Sequence, residues 1–193
     1  MAIHATPTTM LMESLDESLE AAKFCVEYKK TDSKWGIYTT SGCLGYPAGI
    51  LLFSLIDTIG SYHKKDPKFK VTIDGKQDAI NADGWEHFKI LNYKYFNQPL
   101  SREFLAALYT KFRSCLTHNS VLGKGTLMYP DNSVIPSIAG SNTAFALGED
   151  KTGNEVYVIF MKELYHLCVA AVDEFKKDID TIVPNSKQGK KFH

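Results

Sequence analysis

Arginine is almost missing from this 193-residue chain: of its 22 basic residues, only Arg102 and Arg113 carry a guanidinium. Lysine serves as a generic solvated charge, whereas a planar guanidinium suits bidentate and phosphate contacts, so each arginine position is informative. Net charge is missing too, with 22 acidic residues against the 22 basic ones. No overall positive field gathers a polyanion, and any nucleic acid must be gripped locally. The four cysteines, Cys25, Cys43, Cys115 and Cys168, form no CxxC pair, which excludes a disulfide framework or zinc site. Cys25, Cys115 and Cys168 lie in apolar helical patterns and read as small buried hydrophobes. HxxxH and HExxH spacings are absent, so His63, His87 and His166 read as surface or satisfied histidines, and no metal or cofactor is expected. No long apolar run occurs either. The stretch GYPAGILLFSLIDTIGSY is interrupted by Asp57, two serines and Pro47, short of the roughly 20 apolar residues a bilayer requires. The N-terminus lacks a basic region followed by an apolar run, so no secretory signal is read and a cytoplasmic location is expected.

What is present is the composition of one soluble globular domain, 44% hydrophobic and 23% charged. Leu11, Met12, Leu15, Leu19, Ala22 and Val26 recur every three or four residues, predicting a helix from Thr8 or Thr9 to about Lys30 behind a threonine cap. TDSKWGIYTTSGCLG reads as a loop. A second helix, from near Pro47 to Tyr62, is apolar nearly all round and therefore central. HKKDPKFKVTIDGKQDAINADG reads as a mobile surface excursion whose lysines are solvated. A short helix, WEHFKILN, precedes YKYF, whose aromatics pack under a loop or stack on bases. Ser101 caps the next helix without a reciprocal box. That helix, REFLAALYTKFRSCLTH, carries Phe104, Leu105, Leu108, Tyr109, Phe112, Cys115 and Leu116 on one face. GKG at 123–125 reads as a turn, since it lacks the length of a phosphate loop. GTLMYP, NTAFALGED and EVYVIF read as strands, the last two a hairpin across DKTGN. A long final helix begins at Met161, and residues 186–193 form a frayed basic tail. The expected fold is mainly α: residues 1–185 form one bundle of four to five helices, with a small antiparallel β hairpin inserted at about 125–160.

The segment KFRSCLTHNS places Arg113 five residues before His118 at a helix end. On a straight helix five residues turn through about 500°, leaving the two side chains about 140° apart. They converge only if the helix ends or tightens near His118, as SVLGKG downstream favours, or if two subunits share one cleft. At these residues the chain resembles the HEPN superfamily of helical bundles, whose nuclease members carry an arginine, four to six residues and a histidine at the end of a bundle helix. RSCLTH matches that spacing, and the likeness spans the helices from about 44 to 120. The resemblance implies a metal-independent endoribonuclease, a homodimer with RNA as substrate, and often a toxin with an antitoxin or other protein partner. By that resemblance Arg113 and His118 are the catalytic pair; Asp57, Ser114, Asn119 and Tyr109 are the candidates to support them. Ser114 stands where the family often has asparagine, aspartate or histidine; its hydroxyl can still donate to phosphate.

The residue types fit that chemistry. RNA carries its own 2'-hydroxyl nucleophile, an imidazole can move protons near neutrality, and a guanidinium can stabilise charge on a phosphorane-like transition state. A structural reading stands beside it. Asp57, on the most apolar helix, needs a partner, and an Arg113–Asp57 pair across the bundle would fix helix register in a non-catalytic scaffold or protein-interaction module, with His118 facing the helix dipole. A third reading is a small-ligand protein with a pocket between the central helix and the hairpin.

Overall fold

A computed structural model describes residues 6–31, 35 and 42–191. Helix α1 spans Pro7–Glu27. Its cap is Thr6, not Thr8 or Thr9, because Pro7, with fixed φ and no N–H to satisfy, occupies the first helical position. Thr6 and Thr9 bond reciprocally, each side chain accepting from the other's backbone N–H. Tyr28 is extended and ends the helix before the expected Lys30. The predicted loop TDSKWGIYTTSGCLG lies mostly outside the described residues.

Helix α2, Gly45–Tyr62, is the central element that its all-round apolarity demands. Leu52, Phe53, Ile56 and Ile59 are fully buried against α1, the final helix and a 3-10 helix at Gly84–Asn92. Each such side chain contributes about 1.5–3 kcal/mol of hydrophobic stabilisation. At Gly60 the α2 backbone comes so close to the His87 carbonyl that a Cβ would overlap it.

The lysine-rich stretch after α2 is not the excursion expected. It holds a hairpin, β1 (Val71–Ile73) antiparallel to β2 (Lys76–Asp78), joined by Asp74 and Gly75, both at positive φ. Phe69, Val71, Ile73 and Ile80 are buried, so the hairpin is clamped to the core by alternate residues. Lys89 is buried as well and ties the 3-10 helix to it, reaching Asp78 at 3.1 Å and the Ala79 carbonyl at 2.8 Å. YKYF packs: Tyr95 and Phe96 are buried.

The predicted helix from Arg102 is continuous in path but not in type. Ser101 accepts from the Phe104 N–H, as expected; α3 (Arg102–Ala107) then widens into a π-helical segment, Leu108–Ser114, and returns to α geometry in α4, Cys115–Asn119.

The predicted lone antiparallel hairpin is instead the edge of a three-stranded mixed sheet. Strand β4 (Phe145–Glu149) pairs antiparallel with β5 (Glu155–Phe160) across the expected turn, and β3 (Thr126–Tyr129) pairs parallel to β5. Periodicity marks each strand, but pairing partner and direction are long-range choices. Helix α5 runs Met161–Asn185 and buries Leu164, Cys168, Ala171, Val172, Phe175 and Ile179. The frayed tail expected at 186–193 gives way, over 186–191, to a closed turn. Ser186 Oγ donates to the Val183 carbonyl and accepts from the Gly189 N–H, and both Ser186 and Gly189 are buried. The fold is mainly α, and among the described residues no helix is long and apolar enough to cross a membrane.

Candidate functional site

The π segment is where the sequence placed its sharpest expectation. A π turn takes more residues than an α turn, so some backbone carbonyls lose their usual partner. Here side chains and a loop add donors to carbonyls in and beside the segment. Thr110 Oγ1 donates to Ala106 O at 2.8 Å, Cys115 Sγ to Thr110 O at 3.3 Å, Thr117 Oγ1 to Arg113 O at 2.7 Å, and the Gly123 N–H to Lys111 O at 2.7 Å. Only glycine fits at 123, since a Cβ there would lie 2.9 Å from the Lys111 backbone. Threonine, cysteine and one glycine contact thus brace the segment from outside its own ladder.

Its product is the placement of Arg113. Arg113 Nη2 lies 2.8 Å from Asp57 Oδ2, the cross-bundle ion pair that the lone acid on α2 required. The guanidinium also sits over the Tyr109 ring, 5.5 Å from its centroid, while Tyr109 meets Phe88 edge-on at 5.6 Å. Asp57 is 18% and Arg113 23% exposed, so the pair stands at the lip of the core. Arg113 Nε is buried without a hydrogen-bond partner.

A residue set aside as an ordinary singleton completes the cluster. His87 Nδ1 donates to Asp57 Oδ1 at 2.7 Å, and its Nε2 faces Asp83 Oδ1 at 3.5 Å. The signal was available: an ionised carboxylate has two oxygens, each able to accept, and one guanidinium contact left the other open. Asp57 thus joins α2, the 3-10 helix and the π segment through one side chain.

The other expected residues stand apart. His118 and Asn119 are exposed in the last turn of α4, whose C-cap Ser120 is left-handed at φ 55°. A cation at this end faces the favourable pole of the helix dipole. Ser114 is half-buried. Among the described residues no hydrogen bond or ion pair joins Arg113 to His118, Ser114 or Asn119. The π segment ends at Ser114, so the path from Arg113 to His118 runs almost wholly through α geometry and keeps the two side chains on different sides of the helix. The structure therefore brings Asp57, Tyr109, Arg113 and His87 together and leaves His118, Asn119 and Ser114 outside that cluster.

The second arginine repeats the pattern. Arg102 Nη2 lies 2.6 Å from Asp78 Oδ2, and the guanidinium sits 5.6 Å from the Trp85 ring centroid. Both arginines are spent on an aspartate from another element plus an aromatic face, and Lys89 joins Arg102 on the same Asp78 and Trp85. Among the described residues no group of three or more side chains is arranged to hold a metal ion.

No protein-family model, curated protein or solved structure matches the chain.

Proposed function

We propose that the chain is a metal-independent endoribonuclease of the HEPN type, acting as a cytoplasmic homodimer. The observation that carries the reading is Arg113 fixed by Asp57 at the core's lip, within a π-helical segment one turn before an exposed histidine. Local π insertions in helices recur at functional sites. In the reaction the RNA 2'-oxygen attacks the adjacent phosphorus and the 5'-oxygen leaves, giving a 2',3'-cyclic phosphate and a 5'-hydroxyl. His118 takes the 2'-proton or supplies one to the leaving oxygen, and Arg113 stabilises the added charge on phosphorus. Since the two side chains diverge within one chain, two copies with these helix ends opposed would surround one phosphate. A protein partner of antitoxin type would inhibit by covering the same helix end.

The test is RNA cleavage in EDTA by wild type, Arg113→Ala and His118→Ala, with product ends identified and mass in solution measured. Cleavage by the wild-type dimer, lost by about 10²-fold or more in each variant, is expected. Equal activity in all three, or none in any, removes the nuclease reading.

Asp57 itself favours a second reading, a non-catalytic scaffold or protein-interaction module. Both of its oxygens are engaged, one by Arg113 and one by His87, which suits a lock among three elements. Under that reading no cleavage occurs, and disrupting the cluster changes only stability.

A further inference from the structure

A cavity of about 730 Å³ opens away from the Arg113 cluster, where the C-terminal ends of α2 and α5 meet the turn at 186–190. That volume is within the range of small-molecule sites, about 300–1,000 Å³. Two kinds of surface line it. One is aromatic: Tyr62, Tyr93 and Tyr95 line it together with His63, whose ring centroid lies 5.5 Å from Tyr93 and 5.7 Å from Tyr95. The other is cationic, with five lysines in the lining against two aspartates, Asp66 and Asp178.

The balance between those charges decides the sign of the ligand. Asp178 is already taken, accepting from the Tyr95 hydroxyl at 2.9 Å and pairing with Lys94 at 2.5 Å. Asp66 accepts the Lys68 backbone N–H at 2.9 Å. Lys64 is paired with Asp83 outside the cavity. The remaining four, Lys65, Lys68, Lys187 and Lys190, make no ion pair among the described residues. Asp66 keeps its full negative charge, and two helix C-termini add about half a unit each, a total of about two units that four lysines exceed. The cavity therefore selects an anion.

His63 supports the aromatic wall. It is 2% exposed, yet both ring nitrogens lack a hydrogen-bond partner. Its Nδ1 is 3.6 Å from Asp66 Oδ2, beyond hydrogen-bond reach. The imidazole is enclosed by Phe69, Tyr93, Tyr95 and Phe175, so it braces the aromatic wall from behind and leaves Tyr62 and Tyr93, both partly exposed, as the wall's open face.

From this we infer that the cavity binds a phosphorylated heteroaromatic compound of nucleotide size, its ring on the partly exposed Tyr62 and Tyr93, and its phosphate at Lys187, Lys190 and the 65–68 loop. Aromatic stacking supplies affinity for any π face, and the lysines supply the requirement for charge. The inference is independent of the ribonuclease reading, because no residue of the cavity belongs to the Arg113 cluster.

Isothermal titration of the full chain with AMP, UMP, adenosine and inorganic phosphate tests it. AMP or UMP is expected to bind saturably, with adenosine and phosphate each weaker by about tenfold or more, since each alone keeps only one of the two contacts. Lys187→Glu with Lys190→Glu, both exposed and safe for folding, is expected to weaken nucleotide binding by about tenfold or more. Arg113→Ala is expected to bind like wild type. NMR of the Tyr62 and Tyr93 ring protons should show shifts that saturate on titration. No saturable binding below about 5 mM, undiminished binding by the double lysine variant, or loss of binding in Arg113→Ala would each overturn the inference.

Discussion

Replacing Asp57 with asparagine keeps the side chain's size and removes its charge. Arg113 then loses its partner, while the single amide oxygen serves either His87 or the guanidinium, and the amide N–H groups oppose whichever is left. Breaking a buried ion pair from one side costs about 3–5 kcal/mol. Asp57 and Arg113 are each about one-fifth exposed, so water recovers part of that, and a loss of about 2–3 kcal/mol is expected. For a domain of this length the loss lowers Tm by about 4–12 °C. Urea unfolding followed by circular dichroism at pH 7 reads it directly, with the m-value confirming that only stability has changed. The Asp57→Asn, Arg113→Gln double variant should lose less than the sum of the singles, by about 1 kcal/mol or more, because the second change removes a charge the first had stranded. A loss under about 0.5 kcal/mol, with additive singles, would refute the reasoning and make the pair an ordinary surface contact.

The remaining predictions concern glycine and histidine positions. Gly60→Ala drives a methyl into the His87 carbonyl and should cost about 2–3 kcal/mol in urea unfolding; an unchanged midpoint would mean that α2 and the 3-10 helix slide apart freely. His63, surrounded by Phe69, Tyr93, Tyr95 and Phe175 with Asp66, Asp178 and Lys94 as its charged neighbours, is held by burial at a pKa of about 4, against an ordinary 6.5. The unfolded chain binds that proton more readily, so the stability from neutral His63 is complete above about pH 6.5, declines as pH falls, and is lost by about pH 4. The difference amounts to about 3 kcal/mol. His63→Phe should flatten that part of the profile in urea unfolding at pH 7.5 and 4.5, and an equal decline in both proteins would contradict it.

Helices with one apolar face were legible from the sequence because burial writes its period locally: α1, α2 and α5 follow from the spacing of their leucines, valines and isoleucines. Within the site, the Arg113–Asp57 pair was legible for a similar reason, since a carboxylate on an apolar helix demands compensation and few residues can supply it. Three things were not. The Val71–Ile73 hairpin hides its alternation under lysines, whose long stems let charged heads reach water from a strand clamped to the core. The parallel pairing of β3 with β5 depends on where a distant segment arrives. The π segment is braced by side-chain donors to specific carbonyls, which no apolar period records. His87 was missed for a different reason: a histidine's role depends on what stands opposite, and its partner lies thirty residues earlier.

Asp83 touches both regions at once, pairing with Lys64 at the cavity's edge and facing His87 Nε2 beside Asp57. It is 71% exposed, so ions in solution compete for it. The carboxylate is thus an electrical joint whose stiffness depends on the medium. In dilute buffer a change of charge at Lys64 is felt at His87. At about 0.15 M salt, where fields between exposed charges fade over about 8 Å, the two ends respond separately.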